Sequence, residues 1–166
     1  MVVQMEQGRA NPSIGTLCRL AAGLGVSVTD LLAESDVPSG AVQRVGADEA
    51  KTLWMGPKGG SAVLRVGSQG PDMLELWNWC LYPGERYESR AHGVGTTELL
   101  YVDSGVLGIE ADGEIHELTV GDCARALTDR PHAYACVGKK KTTFSMMVYE
   151  PAAGTTVKTC RTRGTP

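Results

Sequence analysis

A chain of 166 residues is long enough for one domain, or two small ones, around a real core. With 42% hydrophobic and 21% charged residues and a net charge of −3, it reads as an ordinary globular protein without a general attraction for nucleic acid; any DNA contact must come from a local surface. No apolar run approaches the ~18 residues of a membrane span, and the N-terminus lacks a signal-peptide pattern. The five cysteines form no CxxC pair and are expected to be reduced thiols of a cytoplasmic protein.

Taken in order, residues 13–24 predict a helix. Leu17, Leu20, Ala21 and Leu24 repeat at i, i+3, i+4 and i+7 as one apolar stripe. Pro12 and Ser13 form the start signal, Gly25 the stop, and Val26 is placed to fold back on the stripe. Ser27 caps a second short helix, with Asp30 in its first turn and Leu31 and Leu32 pointing inward. Two short helices cannot bury their stripes alone, so they need a partner. Residues 1–36 are therefore read as a partial helical module.

Residues 33–41 carry linker composition, and residues 37–73 are read as linker and first strands. From about residue 42 the apolar period falls from 3.6 to 2. VQRV, KTLWM and AVLRVGS are candidate strands, followed by LELWNWCLY at 74–82. Residues 98–118 read as a meander, with Asp112-Gly113 as its hairpin turn. CARAL, HAYACV and TTFSMMVYE complete a set of eight or more strands, and 21 glycines suit the many turns. The fold class is mainly β, a jelly-roll barrel over residues 74–151 behind an incomplete helical remnant. Residues 152–166 form a polar, solvated tail.

Trp77 and Trp79 share one face of their strand and are expected to pack in the core or at an interface; Met146 and Met147 are expected in the strand core. His116 falls on the hairpin and is expected to be exposed, and Cys136 to be a buried, inert thiol.

Two resemblances follow. Residues Glu6, Gly8, Asn11, Pro12, Ser13, Thr16, Leu17, Leu20, Ala21, Leu24, Gly25, Val26, Leu31 and Leu32 resemble the second half of the helix-turn-helix of phage-repressor-like, XRE-type regulators. The helices that precede this half in the family have no counterpart after Met1. The base-contacting residues would fall at or before it, leaving Gln4, Gln7 and Arg9 as the DNA-facing candidates. Residues 1–36 carry Arg9 and Arg19 against Glu6, Asp30, Glu34 and Asp36, a poor balance for phosphate. The expectation is weak DNA binding by this form, from either a late start or a decayed module.

The second resemblance is to the cupin barrel. Gly84, five residues, Arg90-Ala91-His92, five residues, Glu98, six residues and Gly105 resemble the first cupin motif; Gly121 and His132 have the separation of the second. Leu127, Asp129 and Cys136 stand where that motif has Pro, Gly and Asn. The resemblance implies His92, Glu98 and His132 as ligands to a divalent metal (zinc, iron or manganese), with Arg90 where the family has a further histidine. The spacer before Glu98 is one residue longer than usual. An arginine has no lone pair to give a metal.

Three readings of these residues stay open. One is a metal site. The second is an effector pocket of Arg90, His92, Glu98, His132 and Tyr134, with Tyr87 nearby and the guanidinium binding an anionic group. The third is a set of hydrogen-bonded barrel residues in which Arg90 pairs with Glu98 or Glu88. As a whole the chain reads as a regulator sensing a small molecule, a homodimer with DNA as partner, rather than an enzyme. A metal-dependent cupin enzyme and a sensor without DNA binding are the alternatives.

Overall fold

The structure, a computed structural model, describes residues 14–24, 26, 28–32, 41–68 and 72–152. Two helices precede ten strands: α1 Ile14–Leu24, α2 Val28–Leu32, β1 Lys51–Met55, β2 Ser61–Gly67, β3 Met73–Leu81, β4 Arg86–Ser89, β5 Thr97–Ser104, β6 Leu107–Ala111, β7 Glu114–Leu118, β8 Cys123–Leu127, β9 His132–Cys136 and β10 Thr142–Glu150. All pairings are antiparallel. One sheet runs β1-β2-β3-β10-β5-β8 and the other β4-β9-β6-β7, so the chain folds as a jelly-roll barrel.

The alternation seen in the sequence sets what lies between the sheets. On β3, Met73, Glu75, Trp77, Trp79 and Leu81 point inward and are buried. Phe144, Met146 and Val148 of β10 and Leu100 and Val102 of β5 meet them from the same sheet, and Leu107, Ile109 and Tyr134 from the other. Trp79 is the hub. It stacks on Phe144 at 5.8 Å and 5°, and lies 4.9 Å from Tyr87 and 5.9 Å from both Trp54 and Tyr134.

Helix α1 buries Ile14, Leu17 and Ala21 against this core, with Leu20 half-buried. Leu24, assigned to the stripe in the sequence, lies on the same side as Leu17 and Ala21 but at the last residue of the helix, and is 65% exposed. The N–H of Val26 donates to the Ala21 carbonyl at 3.0 Å, the bond that closes a Schellman stop, and Val26 packs on the core as expected. In α2 Val28 is fully buried and Leu31 and Leu32 are half-buried. Ser13, Gly25, Ser27, most of the linker and the tail beyond residue 152 lie outside the described residues.

Four strand expectations need correction. Residues 42–45 form no strand; Val42 is 89% exposed, and no neighbour is there to pair with it. The four-residue strand β4 is additional, too short and too polar to signal itself. Residues 98–118 are not one meander: β5 pairs with β10 and β8, β6 with β7 and β9, and the chain changes sheet at Gly105 (φ +78°). Met147 faces outward at 40% exposure, opposite in phase to the buried Met146. The Asp112-Gly113 turn is as read, both residues at positive φ, closing β6 onto β7.

One end of the barrel is tied by a buried carboxylate. Glu85 accepts backbone N–H groups from Lys58 (2.7 Å), Tyr82 (2.8 Å) and Gly60 (3.3 Å), joining the β1–β2 turn to the β3–β4 turn. Burial pushes its carboxyl up, but these donors outweigh that and hold it below the usual range. A side chain at Gly56 or Gly60 would run into this carboxylate.

Candidate functional site

Two strands and one loop bring the predicted residues together. Glu98 enters from β5 and is 2% exposed, His132 and Tyr134 alternate inward from β9, and His92 follows β4 in a loop. The His92 N–H donates to the Thr128 carbonyl at 3.0 Å, which fixes that loop against the segment before β9. Nε2 of His92 is 3.6 Å, and Nε2 of His132 3.8 Å, from Oε1 of Glu98; the two imidazole rings are 5.2 Å apart. The Tyr134 hydroxyl donates a short hydrogen bond to the other oxygen, Oε2.

The protonation states follow from burial. His132 Nδ1 sits 2.8 Å from the Arg130 carbonyl, which only accepts, so Nδ1 carries the proton and Nε2 keeps its lone pair. That Nε2 is buried without a hydrogen-bond partner. Burial, reinforced by His132, pushes the His92 imidazolium down to about 4, and burial lowers His132 too, so both rings are neutral at pH 7. Burial raises the Glu98 carboxyl to about 7 despite the Tyr134 donor, and drives the Tyr134 phenol well above its ordinary value.

Two neutral imidazoles and a carboxylate, with ligand atoms all within 4.8 Å of one another, suit a divalent cation. An orphaned, buried Nε2 is the kind of atom a metal satisfies.

These residues line a chamber of about 40 Å³, closed by Trp79, Glu75 and, from α1, Ile14. Arg90 is not in it. The chain leaves the strand at Ser89, so Arg90 is exposed and borders a second, wider cleft of about 390 Å³. His92, Tyr87, Ser89, Glu150 and Ile14 border both spaces. Arg90 pairs with neither Glu98 nor Glu88 among the described residues; Glu88 is held by Arg86 at 3.1 Å. Gln4, Gln7 and Arg9 lie outside the described residues.

Two chamber residues were overlooked in the sequence, Glu75 and Glu150. The β3 alternation places Glu75 on the face of Trp77 and Trp79, and β10 places Glu150 in phase with Met146 and Val148; a charged residue in an apolar phase was the available signal. Glu75 is 3% exposed. Its Oε2 accepts from the Trp77 indole at 3.0 Å, the Val28 N–H at the start of α2 donates to the same carboxylate, and Oε1 has no partner. Burial and the neighbouring Glu150 raise its carboxyl to about 7.

Comparison with known proteins places this barrel. Residues 77–149 match the Cupin domain family model. The barrel is a cupin domain. Over 152 residues, 91% of this chain and 79% of the relative, the protein is 24% identical to the HTH-type transcriptional regulator SutR of Escherichia coli (strain K12). The crystal structure of an HTH_3 family transcriptional regulator from Vibrio cholerae superimposes with a TM-score of 0.59 at 27% identity, covering 91% of this chain and 79% of that one. The cupin domain of an XRE family transcriptional regulator from Enterobacter cloacae is 31% identical, covering 47% of this chain and 82% of that one, with a TM-score of 0.46. Over most of its length the chain is thus similar to HTH-type transcriptional regulators. No helix among its described residues is long and apolar enough to cross a membrane.

Proposed function

We propose that this protein is the sensing part of a cytoplasmic transcriptional regulator, in which occupancy of the cupin mouth by a small effector is read by the helical segment. The observation that carries this reading is Ile14. It belongs to α1, yet it borders the chamber of His92, Glu98 and His132. A change in the chamber therefore acts directly on α1, which lies in the segment that resembles the second half of an XRE-type helix-turn-helix. A divalent metal held by His92, Glu98 and His132 would supply a Lewis-acid anchor for an effector oxygen. Tyr134 fixes the Glu98 carboxylate, the Arg130 carbonyl fixes the His132 tautomer, and Arg90 waits outside for an anionic group.

A homodimer is part of this proposal. Val66, Leu76, Met147 and Leu99 lie side by side across four strands of the outer sheet face, all exposed. Such an uncharged row suits the same row of a second copy across a two-fold axis.

DNA is the expected final partner, with residues 1–36 supplying a weak contact. Fluorescence anisotropy with DNA from upstream of the protein's own gene, titrated between 50 and 200 mM salt, tests this for the chain alone and for a form extended into in-frame upstream codons. Specific binding by the extended form supports a regulator. Absence of specific binding by either form at low salt rejects the DNA role and leaves a sensor. The donor set of His92, Glu98 and His132 also favours a second reading, a metal-dependent cupin enzyme; metal analysis of protein purified without chelator, followed by turnover assays, separates the two.

A further inference from the structure

The chamber and the cleft differ tenfold in size, and that decides which can hold an organic molecule. A cavity of about 40 Å³ takes a metal ion or roughly three waters. The neighbouring cleft, about 390 Å³, is within the roughly 300–1,000 Å³ of small-molecule sites. Its walls come from both parts of the protein: Ile14, Gly15 and Arg19 from α1, and Leu53, Trp54, Tyr87 and Arg90 from the barrel side.

The charges in the cleft do not cancel locally. Arg19 and Arg90 make no ion pair among the described residues. Of the two carboxylates at the wall, Glu88 is paired with Arg86, and Glu150 has only the backbone N–H of Gly93, which leaves two arginines against one carboxylate. Arg19 is also oriented. Its Nη2 donates to Thr16 Oγ1 at 3.1 Å, and its Nη1 lies close over Gly15, where a Cβ would come within 3.7 Å. A planar fork on the helix, a second fork on the barrel and the aromatic rings of Trp54 and Tyr87 in the same lining suit a planar anion with an apolar body.

We propose that this cleft is a binding site for a small aromatic carboxylate, clamped between Arg19 of α1 and Arg90 of the barrel. The ligand then bridges helix and barrel instead of sitting inside the barrel alone. This deepens the effector reading and rests on it for its biological meaning, but the site and its ligand class are tested without DNA.

Calorimetry on the full chain uses benzoate as the probe, benzamide as its neutral isostere, and inorganic phosphate as an anion without an apolar body. The expected result is benzoate binding at least tenfold tighter than benzamide or phosphate, with R19Q and R90Q each weakening it tenfold or more. Hydrogen exchange with benzoate bound should slow the amides of residues 17–24. Thermal melts of both variants, measured alongside, should match the parent, since neither guanidinium is buried. Benzoate binding that R19Q leaves unchanged but R90Q abolishes overturns the bridge while leaving a barrel-mouth effector standing. Absence of benzoate binding up to 10 mM overturns the site itself. Benzoate binding with full mutational sensitivity, but no change in DNA affinity, supports the site and counts against the regulator reading.

Discussion

Replacing Glu75 with Gln should make the protein more stable at pH 8 and leave it unchanged below pH 4.5. The buried carboxyl is raised from 4.5 to about 7. Between those two values the folded state holds a proton that the unfolded chain has released, so stability falls as pH rises through this window and stays reduced above it. A shift of that size corresponds to about 3 kcal/mol. E75Q keeps an oxygen for the Trp77 indole and the Val28 N–H, places a donor where Oε1 lacks a partner, and removes the charge beside Glu150. The gain at pH 8 should approach 3 kcal/mol, or roughly 6–12 °C in Tm for a chain of this length. Urea denaturation followed by tryptophan fluorescence, in steps from pH 4 to 9, reads both proteins. His92, lowered to about 4, contributes the opposite slope between about 4 and 6.5, but it is common to both and cancels in the difference. A difference between parent and E75Q that does not vary with pH would refute the assignment of the buried charge.

Zinc added to the metal-free protein at pH 6.5 should bind with release of about one proton, chiefly from Glu98, since burial disfavours the charged form of both histidines; calorimetry in buffers of different ionisation enthalpy counts it, and H132A should remove the binding. Trp79→Ala should cost about 3–5 kcal/mol, because the ring joins four aromatic neighbours outside its own strand, and denaturant midpoints measure it. Met147→Glu places a charge in the outer row of Leu76, Met147 and Leu99. Sedimentation should show a monomer for M147E where the parent is a dimer, with an unchanged melt of the monomer fold. A dimer in M147E would remove that face from consideration.

The sequence was most informative where period and punctuation agreed. CARAL became β8 at the residues read, and TTFSMMVYE became β10, because alternating side chains between turn signals leave one solution. RYES was invisible for the converse reason: two charges in four residues, and pairing only with β9. At the site, His92, Glu98 and His132 were found by motif spacing, and the structure places them together. Arg90 was read into the same pocket because it stands where the cupin motif has its first histidine. The strand before it ends at Ser89, and Arg90 borders another space. Ile14 fell inside the helix read at 13–24 but was given no place at the site, since a helix pattern shows which face is buried but not what lies beneath it.

The carboxylate that ties the barrel end has a consequence for how sequence can change there. Glu85 occupies the space that side chains at Gly56 and Gly60 would need, and it uses the N–H of Gly60 as one of its donors. The three positions are therefore one unit of variation. Gly60→Ala alone should be damaging; the same change alongside Glu85→Ala should cost less than the two singles together, a coupling that a double-mutant cycle measures directly. Relatives that lose the acid at this position regain part of the room the two glycines leave, although a side chain at position 60 would still come within 2.9 Å of the Cys80 carbonyl, and drift at any one of the three alone is what selection should remove.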